Sequence, residues 1–260
     1  MSGREVGAVG VSDTHTGRAV DRRSRFCGFA AFAAFYHIAA MGNWQEVVLE
    51  QKRITDAVGL RPQCLLLGSD DDAAWTRQQG LDVRWVLGDL GQYETPTLER
   101  LHEWCLNNRD GAALYFHTKG VSNPQHDGKR LWRWLMMEQV VARWEYNLKR
   151  LELVDLVGVC WQDSPWMPHF SGNFWMARAD WVSVLRHPRT HRDTGGPSVC
   201  GNPWERMHAE LWIGSEPWHS VDSLVCRNEI IWEADSPVYR HYDGMTFDDA
   251  ARLITSKVRP

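Results

Sequence analysis

Ala112-Ala-Leu-Tyr-Phe-His-Thr-Lys-Gly120 decides how this chain is read. The run Ala112–Phe116 has no polar face, as expected of a strand at the centre of a parallel sheet, covered on both sides. Polar chemistry begins only where that strand ends, at His117, Thr118 and Lys119, and Gly120 follows. Open α/β sheets bind ligands outside the carboxyl ends of their strands, so these residues point to an anion site.

Working outward, the pattern alternates strand and helix. Residues 29–39 read as a first strand. A helix follows from an Asn43 cap, with Glu46 completing a capping-box-like pair, to Gly59 at its carboxyl end. Gln63–Leu67 and Val83–Leu87 are the next strands, and Thr95-Pro96 opens a helix that buries Leu98, Leu101 and Cys105. This alternation over residues 29–120 predicts a doubly wound α/β half. Beyond it the spacing predicts one long helix over 129–152, strands at Leu156–Trp161 and Asn173–Ala177, a loop over 187–203, a short helix at 204–213 and a polar tail.

Composition sets outer bounds. A chain of 260 residues, 43% apolar and 24% charged, has the makeup of an ordinary globular domain. A net charge of −4 does not indicate wholesale nucleic-acid binding through a basic face and leaves room only for a local basic channel. The six cysteines are scattered without a C-x-x-C pair, which favours free thiols in a reducing, cytoplasmic setting over a disulfide frame or zinc site. Arg22-Arg23-Ser-Arg-Phe26 before an apolar run is superficially like a twin-arginine signal, but Tyr36 and His37 interrupt that run. Residues 1–28 are therefore expected to be a mobile tail, and 29–260 a single domain with no membrane span. Phosphate-loop, dinucleotide, zincin and hydrolase-elbow motifs are absent.

Each candidate residue reads in two ways. Lys119 is a diphosphate ligand or a surface lysine. His117 is a phosphate donor or acid–base group, or a core histidine bonded to a carbonyl. Ser171-Gly172-Asn173 offers a hydroxyl, an amide and close backbone approach, suited to sugar hydroxyls, or is simply a tight turn. Glu210 is a general base or half of an i,i+4 ion pair with Arg206. Asp70-Asp71-Asp72 binds a divalent cation or starts a helix. Lys129, Arg130 and Arg133 among Trp132 and Trp134 form a basic aromatic strip, or belong to an amphipathic helix.

Several segments together resemble a broad group of predicted glycosyltransferases. They are Tyr36-His37-Ile38, Asn43-Trp44, Thr95-Pro96-Thr97-Leu98, Tyr115-Phe-His-Thr-Lys-Gly-Val-Ser122, Trp132-Arg133, His169-Phe-Ser-Gly-Asn-Phe-Trp175 and Ala209-Glu-Leu-Trp-Ile213, in that order over roughly residues 33–215. Met176 stands where that group commonly has a second tryptophan. The resemblance implies a GT-A-like α/β domain with a mostly parallel sheet flanked by helices. Residues 29–122 would be a nucleotide-binding half and 123–260 an acceptor half. It implies hexosyl or pentosyl transfer from a nucleotide-sugar to a hydroxyl of a saccharide, a small molecule or a modified DNA base. Under it, Tyr36 and His37 lie near the base or ribose, and Lys119 and His117 offset diphosphate charge. Thr118, His169, Ser171, Gly172, Asn173 and Trp175 bind substrate, and Glu210 is the base. Lys119 then replaces the usual cation, or Asp70 and Asp72 hold Mn2+ or Mg2+. Other readings are a non-catalytic nucleotide- or carbohydrate-binding module and a nucleic-acid-modifying enzyme.

Overall fold

β4 (Ala112–His117) is buried along its whole length and has a neighbour on each side. The computed structural model describes residues 28–123, 126–163, 168–196, 198, 202–217, 219–225, 240 and 242–256. The expected mobile tail, residues 1–28, therefore lies outside the described residues except for Gly28.

The other strands are β1 (Phe32–Ala39), β2 (Gln63–Leu67), β3 (Asp82–Leu87), β5 (Leu156–Gly158), β6 (Trp161–Gln162), β7 (His169–Phe170), β8 (Trp175–Arg178) and β9 (Val221–Ser223). The helices are α1 (Trp44–Ala57), α2 (Asp70–Gln78), α3 (Thr95–Asn107), α4 (Asp127–Met136), α5 (Trp144–Leu151), α6 (Ala179–Val182), α7 (Pro188–Asp193), α8 (Trp204–Leu211) and α9 (Phe247–Ser256).

Seven strands form one sheet in the order β3-β2-β1-β4-β8-β5-β9, and β6 and β7 pair separately. β1 pairs in parallel with both β2 and β4, whereas β8 runs antiparallel between β4 and β5. The chain steps outward from β1 to β3, then returns through α3 to lay β4 on the other side of β1. That reversal makes the β1/β4 boundary the switch point of the sheet, where a crevice opens at the carboxyl ends. The expected α/β architecture, mostly parallel and flanked by helices, is the one observed.

Alternation sorts the core into two layers. Ala34, Tyr36, Ile38, Leu114 and Phe116 face α1, α4 and α9, while Phe35 and Tyr115 face Leu98 and Leu101 of α3 together with Trp175 and Trp212. His37 and His117 follow the second set in register, side by side at the strand ends.

Four expectations need correction. The single helix over 129–152 is divided by a π-helical segment, Met137–Ala142, and a break at Arg143 (φ −97°, ψ 25°). Asn147 Nδ2 donates to the Gln139 and Val140 carbonyls at 2.9 and 3.2 Å, replacing bonds lost at the break. Fully buried Glu138 accepts there from Tyr242 and Arg143. The region read as a loop contains α7, started by Pro188 in its first turn, and the tail read as polar contains β9 and α9. Among the cysteines, Cys64 and Cys105 are free, but Cys160 is in a disulfide whose partner lies outside the described residues. No described helix is long and apolar enough to cross a membrane.

A buried ion pair ties α1 and α4 to the end of β4. Arg133 donates to Glu50 through Nη2 at 2.7 Å, and through Nη1 to the Lys119 carbonyl at 2.9 Å. Both side chains are more than nine-tenths buried. Glu50→Ala strands the guanidinium without a counter-charge and is expected to cost about 3 kcal/mol. Urea denaturation measures this; a midpoint equal to wild type would show that the pair does not hold the helices together.

Candidate functional site

The H-T-K-G exit from β4 is fixed atom by atom. Thr118 donates its amide to the His37 carbonyl at 3.0 Å, and its Oγ1 accepts from the Ala39 amide at 3.0 Å. Gln51 Nε2 donates to the His117 carbonyl at 2.9 Å. Gly120, at φ +89°, turns the chain away over α4. With its carbonyl held by Arg133, Lys119 is a half-buried side chain on a rigid base.

His117 sits below it. Its Nε2 faces the Gly172 carbonyl at 3.0 Å and its Nδ1 faces Glu94 Oε1 at 3.1 Å. A carbonyl only accepts, so Nε2 carries a hydrogen. Burial first, and then the Lys119 ammonium, push the His117 pKa down to about 3. A neutral ring turns its Nδ1 lone pair toward that oxygen, and a protonated ring would donate to it. Glu94 Oε2 accepts in turn from Asn173 Nδ2 at 3.0 Å, and Asn173 Oδ1 accepts from Trp175 Nε1 at 2.8 Å.

Glu210, on the last turn of α8, accepts from the Gly172 amide. Burial alone would raise its pKa. Lys119, His169, the Gly172 amide and His117 outweigh that, and the pKa is lowered from its ordinary value. Glu210 is therefore an ionised carboxylate beside an ammonium. Within electrostatic reach of both acids is the Tyr115 hydroxyl, fully buried and without a hydrogen-bond partner. Burial, and then Glu94 and Glu210, push its pKa upward.

Three cations gather at the rim. The Lys129 pKa is lowered by partial burial, then by Arg206, then by Lys119, so these positive charges repel one another across a short span. Three cations against the single Glu210 carboxylate leave an excess of positive charge that suits an anion.

Of the expected site residues, Lys119, His117, His169, Gly172, Asn173 and Glu210 come together. Thr118 stands among them but spends its hydroxyl on the backbone, and Ser171 is buried beside Gly172. His37 is buried behind His117, with Nδ1 on Thr97 Oγ1 at 2.8 Å. Two expectations are corrected. Tyr36 points to the opposite face of the sheet, stacked on Phe116 and bonded to Gln51 Oε1 at 2.6 Å, so it cannot meet a base or ribose. Trp175 is wholly buried and braces Asn173 rather than a substrate. The basic aromatic strip also dissolves, because Trp132, Arg133 and Trp134 are all buried.

Glu94, Tyr115, Lys129 and Arg206 were not picked out for these roles in the sequence. Tyr115 lay inside the β4 motif, Lys129 in the basic strip and Arg206 one turn from Glu210, whereas Glu94 carried no readable signal. Asp72 is taken by a capping box with Ser69. Among the described residues no three His, Cys, Asp or Glu side chains stand as a metal-holding group. A cavity of about 230 Å³ beside Phe29, Arg109 and Arg178 lies at the opposite, amino-terminal end of β4.

The chain belongs to the family described as Domain of unknown function (DUF8361), whose model matches residues 76–256. No curated protein and no solved structure matches it. The matched span contains Glu94, His117, Lys119, Gly172, Asn173 and Glu210, and begins after β1 and β2.

Two outcomes test this geometry. Gly172 sits at φ +84°, and a Cβ there would lie 2.5 Å from Trp132 Nε1 and 2.6 Å from Met136 Sδ. Gly172→Ala should therefore destabilise the fold by about 2 kcal/mol or more. Calorimetry showing an unshifted melting point would contradict the packing.

The second outcome is acid sensitivity. Burial lowers the pKa of His37 and of His191 on α7 from 6.5 to about 4. The unfolded chain takes up these protons near its ordinary pKa and the folded chain does not. Their stabilisation is complete above pH 6.5 and is lost as pH falls toward about 4, at on the order of 1 kcal/mol per pH unit for each ring. Urea midpoints that do not fall between about pH 7 and about pH 5 would refute the neutral buried rings.

Proposed function

We propose that this protein is a glycosyltransferase that moves a sugar from a nucleotide-diphosphate donor to a hydroxyl of an acceptor. The observation that carries the reading is the cationic rim of Lys119, Lys129 and Arg206 over the ionised Glu210, at the carboxyl ends of β1 and β4. A diphosphate leaving group needs fixed positive charge as its bridging C–O bond breaks. An acceptor hydroxyl needs a base within reach. The acceptor oxygen bonds to the sugar's anomeric carbon, its proton passes to Glu210, and the bond's electrons leave on the diphosphate.

In this reading the nucleotide lies over residues 29–122, and the acceptor, a saccharide, a small molecule or a modified base, meets residues 123–260. Lys119 and its neighbours stand in for a cation, with Mn2+ or Mg2+ carried in by the diphosphate as the alternative. His117 has both ring nitrogens committed within the protein, so it positions Gly172 and Glu94 instead of touching phosphate. Half-buried His169 faces sugar or acceptor, while buried Gly172 and Asn173 hold Glu210 and Glu94 from behind instead of touching substrate. The lowered Glu210 pKa favours a second reading, a non-catalytic nucleotide- or carbohydrate-binding module, because a weak carboxylate base removes a hydroxyl proton poorly. Anion docking on Lys119 would offset the charge that lowers it and bring Glu210 closer to the working range.

Thermal-shift titration with UDP-, GDP-, TDP- and CMP-sugars, with manganese or with EDTA, reads donor class and cation need together. A diphosphate sugar should raise the melting point and CMP-sugars, with one phosphate, should do so less. Lys119→Ala should remove the shift and reduce transfer about a hundredfold while moving stability by less than about 0.5 kcal/mol. An unchanged donor response in that variant would overturn the proposal, whereas binding without donor turnover in wild type would select the binding module.

A further inference from the structure

α7 buries only Pro188 and His191, so this six-residue helix lies on α3 and α8 with little apolar area to hold it. Two indoles tie its ends: Trp212 Nε1 donates to the Arg186 carbonyl at 2.8 Å, and Trp204 Nε1 to the Arg192 carbonyl at 2.8 Å. Imidazoles make the other buried contacts. His102 of α3 stands edge-on to His187, which precedes α7, with ring centres 5.7 Å apart. His191 packs at 5.2 Å against the ring of Trp204, the first residue of α8.

Neither buried ring has room for a second proton. His102 Nε2 faces the Leu185 carbonyl at 3.2 Å, so it carries the hydrogen, and Nδ1 is buried without a partner. His191 Nε2 is also buried without a partner. A protonated imidazole has a hydrogen on each nitrogen. Whichever tautomer His191 holds when neutral, acid therefore places an unmet N–H and a charge inside the interface. Both rings are only 5% exposed while α7 is in place.

We infer that α7 is an acid-released clip: protonation of His102 and His191 detaches it from α3 and α8 while the sheet stays folded. The charges around the clip do not rescue the protonated rings. Arg186 before α7 and His208 on α8 oppose a charge on His191, as His187 does on His102. Glu99 is taken by Arg189 of α7 through bonds of 2.7 and 2.9 Å, and Glu103 by Arg100 at 3.1 Å. Arg189 is half exposed, so its pair with Glu99 is a weak tether. Asp193 and Glu205 are exposed, Arg192 lies on α7 itself, and Glu94 acts on His208. Glu216 lines the cavity of about 180 Å³ beside His191, but no bond reaches Nε2.

Burial pushes the pKa of both rings down, and that of His191 falls from 6.5 to about 4. Once α7 leaves, the rings meet water and take up protons near their ordinary pKa. The clip is therefore held fully above pH 6.5 and loosens as pH falls toward about 4. α8 carries Glu210 on its last turn, so release frees the opposite end of the helix that positions this carboxylate.

Hydrogen exchange followed by mass spectrometry on the full chain, corrected for the intrinsic effect of pH, tests the clip. The amides of His191, Thr194 and Gly195 are bonded within α7 and its last turn. Their protection should fall about twentyfold or more between about pH 7 and about pH 5, whereas β4 keeps its own. In a variant with His191→Phe and His102→Gln neither position titrates, and the Gln amide can still donate to Leu185. There the fall should be less than about threefold. His102→Gln alone should give an intermediate fall, and it decides the matter if β4 exchange shows the double variant misfolded. Glu99→Gln should weaken α7 at every pH and leave the pH dependence in place. Protection of α7 that is constant with pH, or that falls only in step with β4, would overturn the clip. So would a wild-type fall in His102→Gln or in the double variant, or a pH dependence abolished by Glu99→Gln.

Discussion

A buried guanidinium governs where the central strand releases the chain. Arg133 lies between the Glu50 carboxylate and the Lys119 carbonyl, and Gln51, the next residue of α1, holds the carbonyl of His117. Tyr36 braces Gln51 from below. These contacts make a polar layer under an otherwise apolar sheet, and every member is paired. Burying two charges is expensive, and an apolar pair of the same volume would often stabilise as well. Such a pair would leave the Lys119 carbonyl without a donor and the loop free to choose another path. The ion pair thus specifies a geometry more than it adds stability.

That geometry separates charge into two tiers. Glu94 and Glu210 occupy the inner tier with His117, Asn173 and the Gly172 backbone, and the ammonium and guanidinium groups form the outer one. Gly172 joins the acids, since its carbonyl accepts from His117 while its amide donates to Glu210. A side chain at this position would collide with α4, so the turn that looks generic in the sequence has only one residue it can use. Asn173, at φ +58°, continues the left-handed turn with an amide that reaches Glu94.

Much of this was legible. An unbroken apolar run fixed β4 as central, and strand–helix alternation gave the parallel half with boundaries close to those observed. The strand-end rule placed Lys119 and His117 at the switch point. Other parts were hidden for physical reasons. Glu94 was lost because its partners, His117 and Asn173, are distant in sequence and the site is assembled by tertiary contact. Tyr36 misled because alternation alone does not say which face of a strand buried on both sides meets a ligand. Lys129, Arg133, Trp132 and Trp134 looked like one strip, but helix α4 sends the arginine and both indoles inward. α9 went unread although Thr246 and Asp249 cap its start reciprocally, because a capping pair says where a helix begins and not that one exists.

The two tiers interact through Lys119. It lowers the pKa of His117 and of Glu210 together, and Lys129 responds to the same charge. An anion bound at the rim would therefore act on the inner acids without touching them, raising both groups toward protonation. For Glu210 this means stronger basicity with ligand in place than without. For His117 it means a ring that protonates more readily than without ligand. Gly172 bridges these groups, with its carbonyl on His117 and its amide on Glu210. An anion at the rim and the proton affinity of Glu210 are thus coupled through one ammonium, without any contact between them.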